Sequence, residues 1–356
     1  MAYIELDRKK LEQNFNYLDK LFKKHGIKFS VVTKMLSGNR QYINELLKLN
    51  IDQVCDSRVS NLKTIKTIRP DIETIYIKPP AKQSIRSVVQ FADISVNTES
   101  QTIQLLSEEA QRQNKTHKII IMIELGELRE GIMGEDFMSF YEKVFKLDNI
   151  EVIGIGTNLT CLYGVLPNHD KLVQLCLYEQ LVEAKFGRQI PYVSGGSSVT
   201  IPLIFEKLLP KGINHFRVGE TLFLGTDLYN NTTIKKMHSD VFKLFAEIIE
   251  ITEKPLVPIG EMGQNVEGNT FEFDDDKKGK LSFRAIVDIG LLDVEEGQIE
   301  LVDKDIEMVG ASSDMFVIDL VDNKKNYKVG DLLEFKMDYM GVLRTINSRY
   351  IAKRVL

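Results

Sequence analysis

Short β-branched runs alternate with longer amphipathic stretches along the first two thirds of the chain. An opening strand at Tyr3–Leu6 and a helix from about Asp7 to His25 precede eight apolar runs: Phe29–Val32, Ile51–Cys55, Thr74–Ile77, Ala92–Val96, Ile119–Ile123, Val152–Ile155, Pro191–Ser194 and Ile213–Val218. Between them lie helix-like segments such as Arg40–Leu49, Ser57–Ile68, Glu99–Gln113, Asp136–Phe145, Asp170–Phe186 and Val199–Leu209. In Asp170–Phe186, for example, Leu172, Val173, Leu175, Cys176, Leu181 and Val182 gather largely on one helical side. Strands alternating with helices imply parallel β-α units with right-handed crossovers, and eight such units are the number that closes a (β/α)8 TIM barrel. A doubly wound α/β sheet is the runner-up. It would usually carry a glycine-rich first turn, and TKMLSGNR after the first run has no G-x-G-x-x-G.

From about Ile234 the period changes. Asp240–Thr252 and Phe283–Ile289 alternate apolar and polar residues at period two. The runs Gln298–Val302, Met315–Leu320, Leu332–Met337 and Arg344–Ala352 are short and set apart by turn residues. The pattern predicts an α/β barrel over 7–233 and a β-rich second domain over 234–356, joined by the opening strand 1–6. Asp274–Lys280 reads as a solvated loop.

A length of 356 residues leaves room for about two domains, and 43% hydrophobic with 27% charged residues is a globular composition. The balance of 46 Lys and Arg against 51 Asp and Glu argues against a protein that grips nucleic-acid backbones. The opening MAYIELDRKK lacks the basic and apolar regions of a signal peptide, and no apolar run approaches the ~18–20 residues of a membrane span. The three cysteines show no paired spacing and the five histidines are scattered, so reduced thiols, a cytoplasmic location and no metal site are expected.

In such barrels the chemistry sits where the strands end, and phosphate commonly binds after the last two. The ends of the successive runs supply Lys34, Asp56, Lys78, Asn97, Glu124 with Arg129, and Asn158 with Cys161. The last two end in Ser194-Gly195-Gly196-Ser197-Ser198 and Arg217-Val218-Gly219-Glu220. A Gly-Gly-Ser-Ser turn entering a helix offers backbone N–H groups and hydroxyls to a phosphate dianion, although glycine at a tight turn also serves backbone geometry alone. Lys34, closing FSVVTK, stands where partial desolvation makes an amine a Schiff-base nucleophile; Lys78 has a similar position. A lysine and a phosphate loop on one rim narrow the chemistry to phosphosugar aldolases or a pyridoxal-phosphate enzyme.

These segments resemble the alanine racemase family, the fold type III pyridoxal 5′-phosphate enzymes, and within it the alanine/ornithine racemase branch. The resemblance runs over nearly the whole chain. Tyr3–Asp7 is similar to the family's first strand, and FSVVTK to the strand ending in the cofactor lysine, which makes Lys34 cofactor-binding and catalytic. It implies phosphate binding by Ser197 and Ser198, by the backbone N–H groups of Gly219 and Glu220, and by the Tyr350 hydroxyl in SRYIAKRV. Arg217 would face the pyridine nitrogen. The resemblance further implies a homodimer whose partner's second domain completes each site, with no nucleic-acid or membrane partner.

The departures from the family pattern concern the substrate. A family lysine is replaced by Glu124, whose negative charge is expected to hold the substrate-binding Arg129. Asn158 replaces a histidine beside the cofactor, Glu261 stands where the partner's catalytic tyrosine is expected, and Ser312-Ser313-Asp314 replaces a Cys-Met-Asp motif. The expectation is a racemase of ornithine or another basic amino acid. Two bases would exchange the α-proton on opposite faces of the cofactor-bound amino acid, Lys34 on one and Cys161 or Glu261 on the other. Glu261 and Asp314 are also nominated for the substrate's terminal ammonium. An alanine or broad-specificity racemase and a non-catalytic pyridoxal-phosphate-binding barrel are the alternatives.

Overall fold

The computed structural model describes residues 1–265 and 268–356. The chain divides into two units, Lys9–Ser239, and Met1–Arg8 together with Asp240–Leu356. After β1 (Tyr3–Leu6) and α1 (Arg8–Lys24) come β2 (Lys28–Val32), α2 (Arg40–Leu46), β3 (Gln53–Asp56), α3 (Val59–Ile68), β4 (Glu73–Tyr76) and α4 (Ile85–Phe91). Next are β5 (Ile94–Asn97), α5 (Ser100–Arg112), β6 (His117–Met122), α6 (Phe137–Val144), β7 (Ile150–Gly156) and α7 (His169–Phe186). The barrel ends with β8 (Tyr192–Ser194), β9 (Gly196–Ser197), α8 (Ile201–Phe205), β10 (His215–Val218) and α9 (Glu220–Leu224), followed by the small ladder of β11 (Thr226–Asp227) and β12 (Thr232–Thr233).

The parallel sheet closes on itself. Its order runs from β8 back through β7 to β2, then to β10 and β9. Only Gly195 separates β8 from β9, so these two pieces are one barrel strand that pairs first with β7 and then with β10. Crowding explains why both residues at the break are glycine. A Cβ on Gly195 would lie 2.8 Å from Ile213 and 3.0 Å from Leu172, and one on Gly196 would lie 2.2 Å from the Phe216 ring. On β7, Cβ atoms on Gly154 and Gly156 would meet Ile120 and Met122 at 2.8 and 3.0 Å. The buried residues Cys55, Ile75, Ile94, Val96, Ile120, Met122 and Ile153 fill the apolar part of the barrel, each side chain worth about 1.5–3 kcal/mol of burial.

Helix formation follows the caps and the apolar stripe. Asn39, Glu99 and Asn168 accept backbone N–H groups at the starts of α2, α5 and α7. Leu11, Phe15, Leu18 and Phe22 line the buried face of α1. In α7 only Leu172, Leu175 and Val182 are buried, and Leu181 faces solvent instead of the core. The helix expected over Val199–Leu209 is shorter, a tight turn at Ser198–Thr200 and then α8, which stops before Lys207 at φ 60°.

The other unit is a sheet in the order β15 (Ile299–Leu301), β18 (Leu332–Met337), β13 (Phe242–Pro255), β14 (Leu281–Val287), β17 (Phe316–Asp319), β16 (Glu307–Ala311). β1 pairs with β13 and with the terminal β19 (Ala352–Val355). A bulge between Ile248 and Glu250 lets β13 pair with β18 over its first half and β14 over its second. The run Arg344–Ala352, read from the sequence as a strand, is instead the end of α10 (Tyr339–Asn347) and the turn into β19. Asp338 caps α10 by accepting the Gly341 N–H at 2.7 Å, and Val342, Thr345 and Ile346 are buried at helical spacing. Among the described residues, no helix is long and apolar enough to cross a membrane.

Candidate active site

The residues nominated for cofactor and substrate in the barrel unit follow five of its strands, β2, β6, β7, the broken β8–β9 and β10. β2 delivers Lys34 through Thr33, whose hydroxyl donates to the Asp56 carboxylate at 2.7 Å. Asp56 also accepts the Arg58 N–H at 2.8 Å and the Asn61 amide at 3.1 Å. Burial lifts this carboxyl above its usual range, while the three hydrogen bonds favour the charged form. The backbone that carries Lys34 is thus braced from β3, and the Lys34 side chain itself is exposed.

β10 lies beside β2, with Arg217 in register with Ser30. Gly219 packs against the end of β2, where a Cβ would meet Val32 Cβ at 3.1 Å and the Val32 carbonyl at 3.2 Å. Across the broken strand, Ser197 caps the Ser198–Thr200 turn by accepting the Thr200 N–H, and Ser198 Oγ accepts the Thr221 N–H at 3.3 Å. Each hydroxyl accepts one backbone donor and keeps its own proton to give to an anion. Glu220 opens α9 beside this turn. β11 packs on the same turn, and the buried Thr226 Oγ1 on it has no partner.

Behind Arg217 runs a buried polar chain. The guanidinium donates to the Ser194 carbonyl at 3.0 Å, to the Ser194 hydroxyl, and to the Thr157 carbonyl at 2.7 Å. Ser194 Oγ lies 2.6 Å from His215 Nδ1, and His215 Nε2 lies 2.8 Å from Gln53 Oε1. The Gln53 amide donates to Glu73 at 2.5 Å, and Lys28 pairs with Glu73 at 3.1 Å. His215 also stacks on Tyr192, with ring centroids 4.8 Å apart. Burial pushes His215 far below its usual range, helped by Arg217 and Lys28, so the ring is neutral. Strand ends alone do not reveal this chain. Its signal was present as polar residues at alternating, inward positions of Lys28–Ser30, Gln53, Glu73, Tyr192–Ser194 and His215–Arg217.

The loops after β6 and β7 differ from expectation in one pairing. The Glu124 carboxylate caps its own loop, accepting the N–H groups of Gly126 at 2.5 Å, Leu128 at 3.0 Å and Arg129 at 3.3 Å. The Arg129 guanidinium pairs instead with Glu130, through its Nε and, at 2.6 Å, its NH2. The reason is local: the Glu124 carboxylate is already occupied by these three amides, while Glu130 is adjacent to Arg129 in the chain. Burial works against the charge on Arg129, and the Glu130 pair outweighs it.

Cys161 is exposed on the β7 loop, and its N–H donates at 2.6 Å to Glu127 of the β6 loop that also carries Arg129. Burial lowers Arg217 from its usual range, and the negative charge of Glu130 partly offsets this. The Asn158 Nδ2 group is buried without a partner. By contrast, Cys55 and Cys176 are pushed up by burial to about 12 and about 11, values that keep them as inert thiols. The β7 loop is wrapped around Glu127, a buried carboxylate that sequence reading passed over as one charge among several in ELGELREG.

Glu261, Asp314 and Tyr350 belong to the other unit. Glu261 is exposed in the irregular stretch after β13. Asp314 lies in the turn between β16 and β17, where Ser313 Oγ donates to it at 2.7 Å. That turn rests on Gly290, whose Cβ would lie 2.4 Å from the Met315 N atom. Tyr350 is 75% exposed, with its N–H donating to Ser348 Oγ at 3.1 Å.

Residues 6–227 match the alanine racemase N-terminal domain model. The chain is 38% identical over 354 residues to an ornithine racemase of Acetoanaerobium sticklandii, covering 99% of both chains. It is 30% identical over 348 residues to a lysine racemase of Thermotoga maritima, covering 98% of this chain and 96% of that one. Among solved structures, an alanine racemase of Clostridium difficile 630 superposes with a TM-score of 0.76 at 17% identity, covering 100% of this chain and 95% of that one, a likeness of fold. With its barrel matched to the family model and its full length matched to these relatives, the chain belongs to the alanine racemase family.

Proposed function

We propose that the protein is a pyridoxal-phosphate-dependent racemase of ornithine or another basic amino acid. The observation that carries this reading is the pairing of β2 with β10, which sets the Lys34 strand beside the Arg217–Gly219 strand and next to the hydroxyl-bearing Ser197–Ser198 turn. The full-length similarity to an ornithine and a lysine racemase supports the substrate class.

The residues present fit the cofactor. Two buried polar atoms lack partners, Asn158 Nδ2 just after β7 and Thr226 Oγ1 on the strand that packs on the Ser198–Thr200 turn, and Gly219 brings its backbone close against Val32. Lys34 would hold the cofactor covalently and Arg217 would face its pyridine nitrogen. Ser197, Ser198, the Gly219 and Glu220 N–H groups and Tyr350 would hold its phosphate, with Asn158 against its ring. When bound, pyridoxal phosphate supplies the electron sink that acidifies the α-C–H of an attached amino acid. Arg217 stays cationic and donates, so it supplies no acceptor for a proton on the pyridine nitrogen.

The chain's own groups then move the proton. The Lys34 amine takes it from one face, and Cys161 or Glu261 serves the other. Arg129, fixed by Glu130, binds the substrate carboxylate as a bidentate fork, and Asp314 or Glu261 takes the terminal ammonium. The site is read as that of a cytoplasmic homodimer, completed by the partner's second domain. Chiral chromatography of L-ornithine, L-lysine and L-alanine after incubation with the protein and pyridoxal phosphate tests the function. D-ornithine or D-lysine is expected to appear well ahead of D-alanine. D-alanine alone would leave the family and remove the basic substrate, and no D-isomer would remove the racemase.

A further inference from the structure

We propose that Glu127 is a positioning residue for the second face of the reaction, tying the Thr160–Val165 loop to the β6 loop so that the Cys161 thiol stands beside the Arg129 guanidinium. This rests on the reading of Cys161 as a base given above. Glu127 is 1% exposed. One of its oxygens accepts the N–H groups of Cys161 at 2.6 Å, Tyr163 at 3.0 Å and also Leu162; the other accepts Thr160 at 3.1 Å and Val165 at 3.0 Å. Five backbone donors of one short segment therefore converge on a single carboxylate.

Among the described residues, nothing else of comparable strength holds the loop. It has no ladder or helix of its own to satisfy those amides. Its large side chains turn outward, with Leu162 57% and Tyr163 70% exposed, so apolar burial does not fix it. Thr160 at φ 61° and Gly164 at φ 74° curl the segment into a concave row of donors, the geometry of a backbone anion nest, and the Thr160 hydroxyl closes it on the Val165 carbonyl at 2.9 Å. Here the anion is the protein's own side chain. Burial opposes its charge, yet the N–H groups draw the carboxyl down to about 2, so the tie holds at any working pH and is not a switch. The loop thus held carries the exposed Cys161, and the β6 loop that supplies Glu127 carries Arg129 two residues further on.

Glu127→Gln keeps the shape but replaces an acceptor with a donor facing donors. Hydrogen exchange read by mass spectrometry is expected to show amides 160–165 exchanging about tenfold faster in the variant, with or without cofactor. In D2O with the loaded enzyme, α-proton exchange of one ornithine enantiomer is expected to fall about tenfold more than that of the other, because Lys34 still serves its own face. Glu127→Asp, which keeps the charge, is expected to recover part of both. Should the Gln variant fail to fold, Gly164→Ala strains the nest without touching the carboxylate and is expected to give the same asymmetry. Unchanged amide exchange would overturn the tie. Faster amide exchange with both enantiomers slowed alike would overturn the positioning role. Cys161→Ser separates the two readings: intact exchange of both enantiomers would remove Cys161 as the base, while the amide measurement still decides whether Glu127 holds the loop.

Discussion

The direction of every hydrogen bond behind Arg217 follows from which groups can donate. The guanidinium only donates, so the Ser194 oxygen accepts and its proton goes to His215 Nδ1; the Gln53 amide nitrogen is committed to Glu73, so its oxygen accepts from His215 Nε2. A lysine in place of Arg217 has no fork to serve the Ser194 and Thr157 acceptors together. Arg217→Lys is expected to lower kcat about 100-fold with the fold intact, checked by steady-state kinetics beside circular dichroism. The buried histidines also set the acid limit. His117, beside Ser95, is pulled by burial to about 4, and burial also holds His215 well below its usual range. Both are neutral when folded and charge on unfolding below about 6.5, so the unfolded state binds more protons there. Stability is therefore expected to be full above about pH 6.5 and to fall toward pH 4 by up to ~1.4 kcal/mol per pH unit for each histidine. Urea melts of the wild type and of His117→Gln should show a shallower acid loss in the variant.

At the scale of elements, packing and caps decide what the period alone does not. Gly196→Ala drives a methyl into the Phe216 ring at the strand break, and overpacking of about 1–3 kcal/mol is expected from chemical denaturation. Asp338→Ala removes the cap of α10 and is expected to cost about 1 kcal/mol. The barrel strands were legible because each buried run is β-branched and bounded by turns. α10 was not, since its four buried residues, one of them Gly341, are spread over a run that ends in a strand. Glu130 and Glu127 were invisible for a different reason. In ELGELREG nothing local says which carboxylate meets a guanidinium and which meets the amides of a loop more than 30 residues away. Lys34, Ser197, Ser198, Arg217 and Gly219 stood out because strand ends in a barrel have fixed places, whereas Glu261, Asp314 and Tyr350 rested on resemblance alone.

Across the whole molecule, Leu128, Met133, Leu162, Tyr163 and Leu166 are exposed on the loops that follow β6 and β7, an apolar group that suits a covered surface. Sedimentation is expected to give twice the chain mass, and dilution to the monomer is expected to abolish racemisation while leaving the barrel folded. A monomer active at all dilutions would contradict the shared site. The account turns most directly on Lys34. Borohydride reduction of the protein loaded with pyridoxal phosphate, followed by digestion and mass spectrometry, is predicted to bleach the visible band and leave a phosphopyridoxyl group on the Lys34 peptide. A label on Lys78 or another lysine, or no label at all, would contradict it.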